Sequence, residues 1–131
     1  MENKIKLSDF VADFIAKKGI KTVFAISGGA SLHLIHSIND HSSLDLVCTH
    51  HEQAAAMAAD SYSRVTGKFG VAISTSGPGA TNLITGICCS YYDSVPLLII
   101  TGQVSTTRMT GDTGVRPVSY THLTLPTNRE V

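Results

Sequence analysis

Four short apolar runs, at residues 22–26, 44–48, 71–75 and 97–101, alternate along the chain with segments of helical period. This alternation is the tightest constraint on the fold. Each run has the length of a strand and is bounded by glycine or polar residues. A strand followed by a helix and another strand pairs most readily in parallel, with the connecting helix packed on the sheet. The expected fold is therefore α/β, a parallel sheet with helices on both faces. Before the first run, Leu7, Phe10, Val11, Phe14 and Ile15 fall at i, i+3, i+4, i+7 and i+8 and predict one apolar helical stripe, with Ser8 as N-cap and Gly19 as the stop. Further helices are expected at 30–38, at 51–65 with Gly67 closing it, and at 80–91. The Ala-rich helix, with Ala54, Ala55, Ala56, Ala58 and Ala59, is apolar on several sides and reads as buried in the core or at a subunit interface.

The chain has 131 residues, enough for one core. Apolar residues make up 43% and charged residues 15%, a globular balance rather than a disordered one. Ten basic residues meet ten acidic ones, so no net charge steers the chain to nucleic acid or an anionic membrane. A chain so poor in charge is expected to bury further surface against another domain or subunit. The longest apolar run, 95–100, is far too short to span a bilayer, and the N-terminus has no signal-peptide core. Cys48, Cys88 and Cys89 suit neither a disulfide framework nor a zinc site and read as reduced, buried thiols, with a cytoplasmic location.

In open parallel sheets, ligands bind beyond the carboxyl ends of the strands. Ser27-Gly28-Gly29, Thr49, Ser76-Gly77-Pro78-Gly79 and Gly102-Gln103 all follow predicted strands, so four loops are expected to converge. Thr49-His50-His51-Glu52 has capping-box spacing: the Thr49 hydroxyl would take the Glu52 N–H and the Glu52 carboxylate the Thr49 N–H. Adjacent His50 and His51 point different ways and read as turn residues rather than metal ligands. Gly77-Pro78-Gly79-Ala80-Thr81-Asn82 is a strand–turn–helix junction whose free N–H groups suit an anion. It is not a dinucleotide fingerprint, because Asn82 replaces the third glycine and Gly102-Gln103 stands where an acidic residue would follow. Taken singly, each of these is equally an ordinary turn or cap.

Together, FAISGGA, HEQAAAMAADSYSRVTGKFGVAISTSGPGATNLITGI and YYDSVPLLIITGQV resemble the N-terminal, pyrimidine-binding domain of thiamine-diphosphate-dependent enzymes of the acetolactate synthase family. The resemblance runs from about Leu7 to Arg116, and its specificity lies in the order of the blocks. It implies the thiamine-diphosphate-binding fold over 1–116, and a 2-keto acid substrate that is decarboxylated and ligated. Glu52 matches the catalytic glutamate that bonds N1′ of the cofactor's aminopyrimidine. Proton sharing there favours the imino tautomer, which can deprotonate the thiazolium carbon. Ser27, Gly28 and Gly29 match the family's turn beside cofactor and substrate. Thr75, Pro78 and Asn82 match positions around the pyrimidine pocket, and Gln103 one on the substrate side.

The family's turn reads Gly-Tyr-Pro-Gly-Gly where this chain has Ala25-Ile26-Ser27-Gly28-Gly29, which leaves the particular keto acid open. Mg²⁺ and the diphosphate are held in the family by a separate diphosphate-binding domain with a Gly-Asp-Gly run, which Gly111-Asp112-Thr113-Gly114 does not match. The resemblance therefore implies half a site, completed across a homodimer or homotetramer, and a fragment inactive alone. It leaves FAD binding open. The other class of function is a non-catalytic cofactor-binding or interaction module on the same fold. Residues 117–131 are Thr-rich, lack any period and depart from the family, and read as a disordered terminus or a translated adapter or frameshift product.

Overall fold

A computed structural model of the chain describes residues 5–105. The elements are α1 (Leu7–Lys17), β1 (Thr22–Ala25), α2 (Leu32–Asn39), β2 (Asp45–Cys48), α3 (Glu52–Thr66), β3 (Gly70–Ser74), α4 (Pro78–Thr81), α5 (Ile84–Tyr92) and β4 (Leu97–Thr101). The strands form one parallel sheet in the order β2-β1-β3-β4. Alternate residues of each strand face opposite ways. Val23, Ala25, Val71 and Ile73 pack with Ala12 and Ile15 of α1 and Ile35 and Ile38 of α2. Ala72, with half-buried Phe24, packs with Ala55, Ala56 and Ala59 of α3 and with Leu83. Helices thus cover both faces, as the alternation of elements predicts. Ile15, Ile20, Ile38 and Ile73 are among the largest fully buried side chains, each contributing about 2 kcal/mol of burial.

The expected stripe on α1 is only partly inside. Ile15 is buried, but Leu7, Phe10 and Phe14 are exposed. Ser8 does not cap the helix; Lys6 precedes it. Instead the Ser37 hydroxyl of α2 lies 2.8 Å from Ser8 Oγ and 2.6 Å from Asp9 Oδ1. Ala12, outside the expected stripe, takes an inward position beside Ile15. Gly19 does follow the helix end, with φ of 75°.

The predicted helix over 80–91 is two. Gly77 adopts φ 66° to start α4 at Pro78, and the Leu83 N–H bonds to the Ala80 carbonyl, three residues back rather than four. That tightened turn drives Leu83 into the core ahead of α5. Gly67, left-handed, caps α3 as expected. Helix α3 buries one face only: Ala55, Ala56, Ala59 and Ser63 are inside, while Met57 and Val65 are exposed. The thiols are free but not buried as a set: Cys48 and Cys89 are exposed and Cys88 half-buried. Cys48 ends β2, which among the described residues pairs with β1 alone and forms an edge of the sheet. Among the described residues, no helix is long and apolar enough to cross a membrane. The boundary at residue 116, the 117–131 tail and Gly111-Asp112-Thr113-Gly114 lie outside the described residues.

Candidate functional site

Glu52 opens α3 at the carboxyl edge of the sheet, and its placement is built from the strand ends. The Thr49 N–H bonds to the Ala25 carbonyl, which carries the parallel ladder one residue past β2. The Thr49 hydroxyl donates to the His51 carbonyl at 2.9 Å. His51, not Thr49, is the N-cap, and its Nδ1 accepts the Gln53 N–H at 3.1 Å. The capping box expected from the spacing therefore does not form. Its two Thr49 groups are engaged by β1 and by the turn, so Glu52 is released from the cap.

The Glu52 carboxylate turns instead toward the next loop. Asn82, between α4 and α5, donates from Nδ2 to Glu52 Oε2 at 3.0 Å. The other oxygen faces the glycine turn: a Cβ placed on Gly79 would sit 3.1 Å from Glu52 Oε1 and 2.8 Å from Thr75 Cγ2. Gly79 is buried, so a side chain there would crowd the space between these two groups. The first loop closes in from the other side. A Cβ on Gly28 would meet the Thr75 side chain at 2.4 Å. Gly28, Thr75, Gly79, Glu52 and Asn82 thus form one cluster at the strand tips, drawn from three loops.

The remaining predicted positions are placed differently. Ser27 and Gly29 are exposed, and nothing lies within 4 Å of a Cβ on Gly29. Pro78 is exposed and acts through its backbone, its carbonyl accepting the Asn82 N–H at 2.9 Å. Gly102 packs on the backbone of Ala30 and Ser31, so the fourth loop does meet the first. Gln103, however, lines a cavity of about 590 Å³ on the α1–α2 side, together with Leu7, Val11, Leu34 and Ile100.

Glu52 is half-buried at a helix N-terminus, where the dipole favours negative charge. Asn82 holds one oxygen, and the other lies close to Gly79 and the glycine turn. The oxygen not held by Asn82 can accept a hydrogen bond from a ligand. No group of three or more His, Cys, Asp or Glu that could hold a metal ion occurs among the described residues. Sequence reasoning missed the His51 cap, although a polar side chain just before a helix is the usual cap signal. It also missed the polar tie between α3 and α5. Arg64 bridges Asp60 Oδ1 and Asp93 Oδ2, each at 2.6 Å, and the Ser90 hydroxyl donates to Asp60 Oδ2 at 2.6 Å. The Asp60–Arg64 spacing of four was legible as a helix pair.

The chain belongs to the family of thiamine pyrophosphate enzymes, as their N-terminal TPP binding domain, which it matches over residues 5–122. Its relatives within that family include acetolactate synthases. It is 49% identical over 98 residues to the acetolactate synthase isozyme 2 large subunit of Escherichia coli (strain K12), covering 75% of this chain and 18% of that protein. It is 46% identical over 99 residues to the chloroplastic acetolactate synthase of Arabidopsis thaliana, 76% of this chain and 15% of that one. It is 41% identical over 122 residues to the probable acetolactate synthase large subunit of Methanocaldococcus jannaschii, 93% of this chain and 20% of that protein. The chain thus spans a fifth or less of the length of these relatives.

Proposed function

We propose that this chain is the aminopyrimidine-binding part of an acetolactate-synthase-like enzyme that decarboxylates and ligates a 2-keto acid. Thiamine diphosphate, when bound, supplies the electron sink for that carbon chemistry. Glu52 holds the proton shared with the pyrimidine ring nitrogen, through the oxygen that Asn82 leaves to the Gly79 side. Thr75 and the Gly28 turn pack beside it, and Gln103, which lines the separate cavity on the α1–α2 side, is assigned to the substrate by the resemblance. Asn82 fixes the Glu52 rotamer, so that little side-chain entropy remains to be lost on binding. Mg²⁺ and the diphosphate belong to a separate diphosphate-binding domain, brought up in a homodimer or homotetramer. The 131-residue chain alone is therefore expected to turn over no keto acid.

The observation that carries this reading is the Glu52 carboxylate, anchored at Oε2 and aimed by Oε1 at the glycine turn. A binding-only module would need no proton-transfer group there. The test is Glu52→Gln in the polypeptide that joins this domain to its diphosphate-binding domain, with exchange of the cofactor's thiazolium proton followed by NMR. The amide keeps the shape but cannot carry the proton, so exchange should slow by about 100-fold or more. An unchanged exchange rate would remove Glu52 from the mechanism.

A further inference from the structure

We infer that His51 is a positioning residue for Glu52, acting as an imidazole N-cap that fixes where the carboxylate starts its reach. The inference rests on the reading of Glu52 just given. Three bonds meet on His51. Its carbonyl accepts from the Thr49 hydroxyl at 2.9 Å and from the Ala55 N–H at 3.2 Å, and its Nδ1 accepts the Gln53 N–H at 3.1 Å. Thr49 is in turn tied to the sheet through the Ala25 carbonyl at 3.0 Å. Strand end, turn and first helical turn are thereby locked together, and Glu52 is the residue between the cap and its donor.

The side chain matters for a specific reason. An exposed first turn frays, because its N–H groups have no partner within the helix. Glu52 reaches Asn82 from that turn, across 30 residues of sequence. Fraying would move the Glu52 backbone and break a bond that depends on one rotamer of a flexible side chain. Accepting at Nδ1 requires a neutral ring with its proton on Nε2. His51 is exposed and makes its cap bond to the next turn rather than to the core, so its work is local. A histidine serves here as an asparagine would, by presenting one acceptor at short reach.

The experiment uses the full chain, by NMR, with His51→Ala and His51→Asn. In His51→Ala, the Gln53 amide should exchange about fivefold faster, the size of a lost cap. The Asn82 side-chain amide resonances should move toward those of a free amide, while amides in the second half of α3 and in β3 keep their rates. His51→Asn should restore both signals. A uniform acceleration through α3 and the sheet would make His51 merely structural. Asn82 resonances that do not move, or that the asparagine variant does not restore, would overturn the proposal. Glu52→Gln keeps the His51 cap bond, so it should change Gln53 exchange by less than His51→Ala does, through loss of the helix-dipole contribution alone. Failure of the Glu52 mechanism, read from thiazolium proton exchange, is thus distinct from failure of the cap.

Discussion

The two faces of the sheet are filled by opposite means. Under α1 and α2 the core is bulky, with Ile15, Ile20, Ile35, Ile38 and Leu44 over Val23, Val71 and Ile73. Under α3 and α5 the fully buried residues are mostly small, with Ala55, Ala56 and Ala59 over Ala72 beside Leu83, and larger Phe24, Ile87, Leu97 and Ile99 pack against them only partly buried. The bulky face gains stability from area removed from water. The small face gains proximity: α3 lies so near the sheet that a Cβ on Gly70 of β3 would fall 1.9 Å from the Ala59 carbonyl oxygen. Glu52 is carried by the small face. A helix seated backbone to backbone has little freedom to shift, which is what a carboxylate aimed at a fixed point requires.

The small face is most sensitive at Gly70. Gly70→Ala pushes a methyl into backbone atoms that cannot rotate away, and should lower unfolding stability by about 3 kcal/mol or more. On the other face, Ile38→Val removes one methylene from a fully buried side chain and should cost only about 1 kcal/mol. Urea unfolding of the two variants measures both. If Gly70→Ala proves the milder change, α3 is not held by close approach.

A second substitution sharpens the same point. A Cβ on Gly86 of α5 would lie 2.4 Å from the Ala56 Cβ. Here the obstacle is a methyl group rather than a carbonyl. Gly86→Ala should therefore cost less, about 2 kcal/mol, and Ala56→Gly in the same chain should recover part of it despite the poor helix propensity of glycine. Strictly additive losses in the double variant would mean that the two residues do not meet.

The two faces were also unequally legible. The parallel sheet, its strands and the convergence of loops at the strand tips follow from the apolar runs and the glycines after them. Glu52, Thr75 and Asn82 were readable as a set only through the resemblance, because each alone is ordinary turn chemistry; the resemblance gave Pro78 beside them, whereas its neighbour Gly79 is the residue that packs on Glu52 and Thr75. What periodicity could not give was direction. Leu7, Phe10 and Phe14 share a helical stripe with Ile15 yet lie outside, while Ser8 and Asp9 face the Ser37 hydroxyl of α2. The Thr49–Glu52 spacing fits a capping box, but Thr49 was already claimed by β1 and the turn. Competition among partners is a tertiary fact, and spacing along one segment does not contain it.

The smallest expected effect concerns how the small face is fastened at its far end. There the lack of bulk is offset by charge, because Arg64 of α3 reaches both Asp60 and Asp93, and Ser90 of α5 bonds Asp60. The Arg64 hydrogen bond holds the Asp60 carboxyl below the usual carboxylate range; burial opposes this, and the Ser90 hydroxyl and the Arg64 charge assist it. A carboxyl whose folded value is lowered binds its proton more readily when the chain is unfolded. Its contribution is therefore whole at neutral pH, declines as pH falls through the ordinary carboxylate value of about 3.9, and is gone below Asp60's own lower value. Arg64 is half-exposed, with 47% of its side chain accessible, so solvent screening keeps the effect modest. Urea midpoints of the chain and of Asp60→Asn should differ at pH 7 and converge as the solution is acidified. A gap that stays constant down to the acid limit would show that Asp60 fastens α3 to α5 by shape, not by charge.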